Sequence, residues 1–181
     1  MQCTALLRFL AFKTPLDEKF DSQIPVESRF SPDMLFNSMK QYKVKIGLWV
    51  DLTNTDRFYD KSKIERQECK YVKLACRGHG ETPSADSVKA FVRLCKNYIA
   101  NNPLDIVAVH CTHGFNRTGF LISAFMVEEF DWSIDMAVNS FTAAREPGIY
   151  KALFQLADIV IVLPFNAVHD DMPGIKLHRS G

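Results

Sequence analysis

The chain has 181 residues, 47% of them hydrophobic and 24% charged, with a formal net charge of +1. That is enough for one well-packed domain and excludes a disordered chain; the near-neutral balance also excludes a protein that coats nucleic acid through bulk charge, though not a local basic patch. The five cysteines, Cys3, Cys69, Cys76, Cys95 and Cys111, include no CxxC pair, which points to a reducing compartment and away from a zinc site.

Met1 to Phe12 is apolar but interrupted by Arg8, without a basic lead or a small-residue cleavage site, so no secretion signal is expected. Leu6 to Phe12 reads as a first strand, closed by Lys13-Thr14-Pro15. Ser31 followed by Pro32 is a helix start, and the pattern Met34, Leu35, Met39 carries that helix to about Lys43. Ile46 to Leu52 is a near-continuous apolar run, as a strand buried on both faces requires. A polar loop, Asp51 to Asp60, follows it.

Tyr71 to Cys76 reads as the next strand and Arg77 to Pro83 as a loop. Ser84, or a neighbour, caps a helix whose apolar stripe is Val88, Phe91, Val92, Cys95 and Ile99, broken by Asn101-Asn102-Pro103. Ile106 to Val109 is a short strand, Phe120 to Phe130 a helical run, and Trp132-Ser133 opens a last helix through Met136, Ala137, Phe141 and Ala144. Strands alternating with helices predict an α/β fold with a mainly parallel twisted sheet flanked by helices. Ligands gather at the carboxyl ends of such strands, so the loops after Leu52, Cys76 and His110 are expected on one rim. The run Ala152 to Phe165 is too short to span a bilayer and carries Asp158, and a soluble protein is expected.

Between the strand ending at Val109 and the helical run from Phe120 lies His110-Cys111-Thr112-His113-Gly114-Phe115-Asn116-Arg117-Thr118-Gly119. A loop feeding a helix start presents unpaired N–H groups and about half a positive charge, which suits a phosphate held by residues Thr112 to Thr118. The same field, with a guanidinium nearby, favours thiolate over thiol at Cys111 and makes it a nucleophile. Arg117 can hold two phosphoryl oxygens through its planar fork. Thr118 can donate to the sulfur, His110 can orient the loop through its second ring nitrogen, and Gly114 and Gly119 allow backbone freedom and close approach.

His-Cys, five residues, Arg-Thr resembles the signature of the cysteine-dependent phosphatase superfamily, which implies a dual-specificity-phosphatase-like fold. Four segments in order, DLTNTDRFYD, RGHGETPS, VHCTHGFNRTGFLI and REPGIYK, resemble the RNA 5′-triphosphatase domain of animal mRNA capping enzymes from about Phe9 to Lys151. The resemblance implies removal of the γ-phosphate of nascent RNA through a cysteinyl-phosphate, without metal or cofactor, with Cys111 as nucleophile and Arg117 as phosphate clamp. It also implies a nuclear setting, a triphosphate-ended RNA as substrate and the RNA polymerase II machinery as partner. No Lys-x-Asp-Gly motif occurs in this sequence, so guanylyl transfer is expected from a separate guanylyltransferase.

Alternatives remain open: a dual-specificity or tyrosine protein phosphatase, or a weakly active phosphate-binding module. A tyrosyl leaving group calls for a general acid. The superfamily's acidic loop corresponds to Arg77–Pro83, which has no Asp; Glu81, thirty residues before Cys111, is either a substitute acid or a solvated carboxylate. Arg57, Arg77, His79 and His113 are candidate partners for the α- and β-phosphates or solvated charges, and Arg145 and Lys151 are candidates to reach RNA phosphates. Asp51 either orders Arg117, positions the attacking water, or caps the turn through Thr53 to Thr55. The phosphatase domain is expected over residues 1–158, and 159–181 as an atypical tail: Ile159 to Val162 is β-branched, Pro164 stops a helix, and the polar end from His169 is expected to be partly disordered.

Overall fold

A computed structural model describes residues 8–78 and 81–150. Two expectations therefore lie outside the described residues: the tail over 159–181, and the roles of His79 and Lys151.

Four strands, β1 (Phe9–Lys13), β2 (Ile46–Asp51), β3 (Lys70–Lys73) and β4 (Ile106–Cys111), form one parallel sheet in the order β1-β4-β2-β3. Five α-helices accompany them: α1 (Pro32–Gln41), α2 (Ser62–Glu65), α3 (Ala85–Asn101), α4 (Asn116–Phe130) and α5 (Ile134–Ala144). Short 3-10 turns at Glu18–Gln23 and Val26–Ser28 fill the connection from β1 to α1. In the register, Lys13 faces Cys111, and Asp51 faces both His110 and Lys73. The carboxyl ends of all four strands thus come level on one rim.

The two sheet faces carry separate cores. Leu48, Val50, Val107 and Val109 pack under α3, α4 and α5, while Phe12, Ile46, Trp49 and Ala108 pack with α1 and Ile64 on the other side. In a regular strand Ile46 and Leu48 would share a face. A register irregularity between them sends the two to opposite cores.

Helix starts follow the serines. Ser31, Ser84 and Ser133 each accept a hydrogen bond from the N–H three residues on, of Met34 (3.3 Å), Ser87 (3.3 Å) and Met136 (3.2 Å). Boundaries differ for local reasons. Helix α1 stops at Gln41 rather than Lys43 because Lys43 takes a left-handed backbone, φ 57°. Strand β3 ends at Lys73, three residues short of Cys76, since β2 itself ends at Asp51; only the Leu74 and Cys76 N–H groups still reach back, to the Asp51 and Leu52 carbonyls.

Helix α4 begins at Asn116, four residues before its predicted start, so the phosphate-type loop runs straight into helix. It is buried on nearly every side between α3 and α5. Gly119 allows α5 to close on it: a Cβ there would lie 2.5 Å from the Phe141 ring. Gly119→Ala is expected to destabilise the fold by about 1–3 kcal/mol through overpacking, read as a lowered urea midpoint at unchanged slope.

Candidate active site

Strand β4 delivers Cys111 to the rim, residues 112–115 turn, and α4 starts at Asn116. The turn is bound to its neighbours on every side. Thr14 N–H of the β1 end donates to the Thr112 carbonyl at 3.1 Å. Gly114 has φ 74°, and a Cβ there would strike the Phe12 carbonyl, so only glycine fits this close approach to β1. Asn116 Oδ1 accepts from the Tyr150 N–H at 3.0 Å, tying the segment after α5 to the helix start.

Arg117 ties the loop to its neighbours. Its Nη1 donates to the Leu52 and Cys76 carbonyls at 3.2 and 3.0 Å, and its Nη2 to Thr112 Oγ1 at 3.0 Å. One guanidinium therefore fixes the loops after β2 and β3 to the loop after β4. A second arginine braces the outside: Arg145 Nε donates to the Gly114 carbonyl at 2.9 Å and Nη2 to the His113 carbonyl at 3.2 Å, with the guanidinium 4.6 Å from the Phe115 ring centre. Arg145, a candidate to reach RNA phosphates, thus has its Nε and Nη2 on the loop's own carbonyls.

Cys111 is only 4% exposed. Burial pushes its thiol up, but the Thr118 hydroxyl and N–H, the Arg117 charge and the Gly114 N–H outweigh that and hold it below the ordinary thiol value. Thr118 Oγ1 is fully buried, and its hydroxyl is placed to donate to the sulfur. Three other cysteines behave as inert core: burial raises Cys69, Cys76 and Cys95.

His110 is fully buried beneath Cys111, its Nδ1 3.3 Å from the Cys111 carbonyl and its Nε2 2.7 Å from Tyr59 Oη. Three roles are open to Asp51 from the sequence, and its contacts bear on them. Its side chain turns to the Trp49 face of the sheet and has no contact with Arg117: Oδ1 accepts from the Thr53 N–H (2.8 Å) and hydroxyl (2.7 Å), while Oδ2 faces Tyr71, Lys73 and Tyr59. The turn-capping role is the one the geometry supports. Tyr59, Tyr71 and Lys73 were not singled out from sequence. The strand period does put Asp51 on the side of Trp49 rather than Val50, but no periodicity reveals three partners from other segments.

The remaining candidates are exposed. Glu81 is exposed, and only its backbone N–H is engaged, 3.5 Å from the Gly78 carbonyl, as befits a solvated carboxylate. Arg57 is exposed and stacks 5.0 Å from the Phe58 ring centre, Arg77 is exposed, and His113 is exposed at the loop's outer edge.

Burial drives His110 down to about 4 from 6.5, with Asp51 and the Cys111 carbonyl pulling it partly back. Between those values the unfolded chain binds a proton that the folded chain excludes, so stability rises with pH through the window and is lost as pH falls. By the lower end of the window about 3 kcal/mol of stability has been lost. His110→Gln is expected to flatten the pH dependence of the urea midpoint between about pH 6.5 and pH 4.

Three comparisons place this geometry among known proteins. Residues 31–159 match the dual specificity phosphatase catalytic domain family. The chain is 56% identical over 144 residues to an mRNA-capping enzyme of Danio rerio, covering 80% of this chain and 24% of that protein, so it spans about a quarter of that relative's length. An RNA/RNP complex-1-interacting phosphatase homolog of Caenorhabditis elegans is 40% identical over 142 residues, 76% of this chain and 61% of that one. Among solved structures, Tk-PTP in its active form superposes with a TM-score of 0.61 at 12% identity, covering 85% of this chain and 89% of the other, a likeness of fold. No helix among the described residues is long and apolar enough to cross a membrane. With the matched span covering most of the chain, and with strand, cysteine loop and helix in their places, the protein belongs to the dual specificity phosphatase catalytic domain family.

Proposed function

We propose that this protein is an RNA 5′-triphosphatase that removes the γ-phosphate of triphosphate-ended RNA and needs no metal, the first step of mRNA capping. The observation that carries the reading is a lowered Cys111 thiol with Arg117 closing the loop around it, beside an acid loop whose Glu81 is exposed. Such a site suits a leaving group that needs little help. A tyrosyl oxygen, with an acid of pKa about 10, needs a proton as it departs. A terminal diphosphate, near the roughly pKa 6 second ionisation of a phosphate monoester, does not. The 56% identity to a protein named mRNA-capping enzyme supports RNA as the carrier of that triphosphate.

In the proposed mechanism Cys111 Sγ attacks the γ-phosphorus in line and the bond to the β–γ bridging oxygen breaks. RNA with a 5′-diphosphate departs. The loop N–H groups from Thr112 to Thr118 and the Arg117 fork stabilise the equatorial oxygens. Water then attacks the cysteinyl phosphate, releasing inorganic phosphate and returning the thiolate. Thr118 assists by donating to the sulfur as it leaves. The nascent transcript is the substrate, the RNA polymerase II machinery and a guanylyltransferase activity are the partners, and the nucleus is the setting.

Phosphate release from γ-labelled triphosphate RNA is expected to persist in chelator and to fall by several orders of magnitude in Cys111→Ser, as removal of a covalent nucleophile does. Glu81→Gln is expected to leave it within about twofold, since the diphosphate needs little protonation. Comparable turnover of phosphotyrosine peptides with a strong dependence on Glu81 would instead make the protein a protein phosphatase. Undiminished biological activity of Cys111→Ser would make the loop a binding module.

A further inference from the structure

The sheet has two ends, and the end away from Cys111 carries a construction of its own. Helix α1 stops against the start of β2, and between them runs a groove of about 250 Å³. Its floor is apolar: Phe36 and Ile46 are buried, Met39 and Val44 half-buried. Lys40, Lys43 and Lys45 stand exposed along its edges, and no carboxylate lines it. A chain of net charge +1 thus gathers three cations within the stretch 40–45.

These lysines are poorly neutralised from within the fold. Lys40 Nζ donates to Gln67 Oε1 at 3.1 Å, a neutral partner whose own amide reaches Asp33 at 3.5 Å. Lys45 lies 3.5 Å from Asp105, yet its side chain stays 62% exposed, where such a pair is worth little. Lys43 has no ion pair among the described residues. The end of α1 contributes about half a negative charge, which one lysine balances and three exceed.

Lys43 also stands in an unfavourable place. Helix α1 closes as the Lys43 N–H reaches the Lys40 carbonyl and the Val44 N–H the Met39 carbonyl, both at 3.0 Å, with Lys43 left-handed at φ 57°. That closing position prefers glycine or asparagine, because a Cβ there is strained. An ammonium kept against the local preference points outward to a partner rather than inward to stability.

Charge and floor together select the occupant. Exposed ammoniums suit carboxylates, and the apolar floor suits an apolar side chain. RNA fits less well: the groove offers no arginine fork for phosphates. It also lies about 16 Å from the catalytic rim along β2 (Ile46–Asp51), so a transcript held by its 5′ end would have to round the sheet to reach it. We propose that this groove docks an acidic peptide of a partner protein, an apolar side chain seated on Phe36, Met39, Val44 and Ile46 and flanking carboxylates on Lys40, Lys43 and Lys45. The site can be filled while the rim is occupied, and no catalytic residue takes part, so the inference stands apart from the proposed function.

The test is selection of a random peptide library, displayed on phage, against the immobilised full chain, with enriched peptides then titrated into ¹⁵N-labelled protein. The expected sequences carry an apolar residue flanked by aspartates or glutamates. They should shift the amide signals of 39–46 and 67 and leave those of 111–118 in place. Affinity should fall about threefold for each lysine removed. Lys43→Gly fits the left-handed backbone, so it is expected to raise the urea midpoint while weakening the peptide, which separates docking from folding. Enrichment of no peptide, of peptides without acids, or of peptides that shift the catalytic loop overturns the proposal, as does undiminished binding by Lys43→Gly. Displacement of the peptide by a 5′-hydroxyl RNA oligonucleotide at equal concentration would make the occupant RNA. The same shifts on raising the protein concentration without peptide would make it a second copy of this chain, and either result also overturns the proposal.

Discussion

A buried sulfur held below the ordinary thiol pKa is the condition on which the rest of this structure depends. Taking a charge out of water is costly unless nearby groups replace the lost hydration. Cys111 is 4% exposed, and burial alone would make it an ordinary inert thiol like Cys76 or Cys95. The offsetting groups come from one short stretch, the N–H of Gly114, the N–H and hydroxyl of Thr118, and the charge of Arg117. They converge only because β4 ends level with its neighbours and passes directly into α4. The Arg117 bonds to Leu52, Cys76 and Thr112, and the Arg145 bonds to His113 and Gly114, hold that convergence from both sides.

The same requirement explains which polar groups the protein buries. His110, Asp51 and Thr118 are all less than 3% exposed, an expensive set for one sheet edge. Each is engaged with the loop or with a group that touches it: His110 reaches the Cys111 carbonyl, Asp51 holds the turn that presents Leu52 to Arg117, and Thr118 faces the sulfur. Burial keeps His110 neutral, so the charge nearest the sulfur is that of Arg117, not of an imidazolium. Glu81, Arg57 and Arg77 are by contrast exposed.

Much of this was legible in the sequence, for reasons that differ by element. Serine caps act within three residues, so Ser31, Ser84 and Ser133 announce α1, α3 and α5 locally. The apolar run at Ile46 announces a strand buried on both faces. The loop is legible because nucleophile, amides and clamp all lie within seven residues of one another. Contacts across the chain left no such trace. Arg145 lies more than thirty residues from the loop it braces, and Asp51 meets Tyr59, Tyr71 and Lys73 from two further segments. Of the roles open to Asp51, its contacts favour the turn cap, since the strand period sets its face but does not name the groups that meet it there.

The central claim is that the γ-phosphoryl group of the RNA passes through the sulfur of Cys111. The direct measurement is rapid quenching of the full chain during turnover of γ-³²P triphosphate RNA, followed by mapping of labelled peptides. The expected result is transient label on the peptide that contains Cys111, at a level set by the balance of attack and hydrolysis, and none in Cys111→Ser. Turnover with no label on protein at any time, or label on a peptide that lacks Cys111, would contradict the claim and require direct attack by water or another nucleophile.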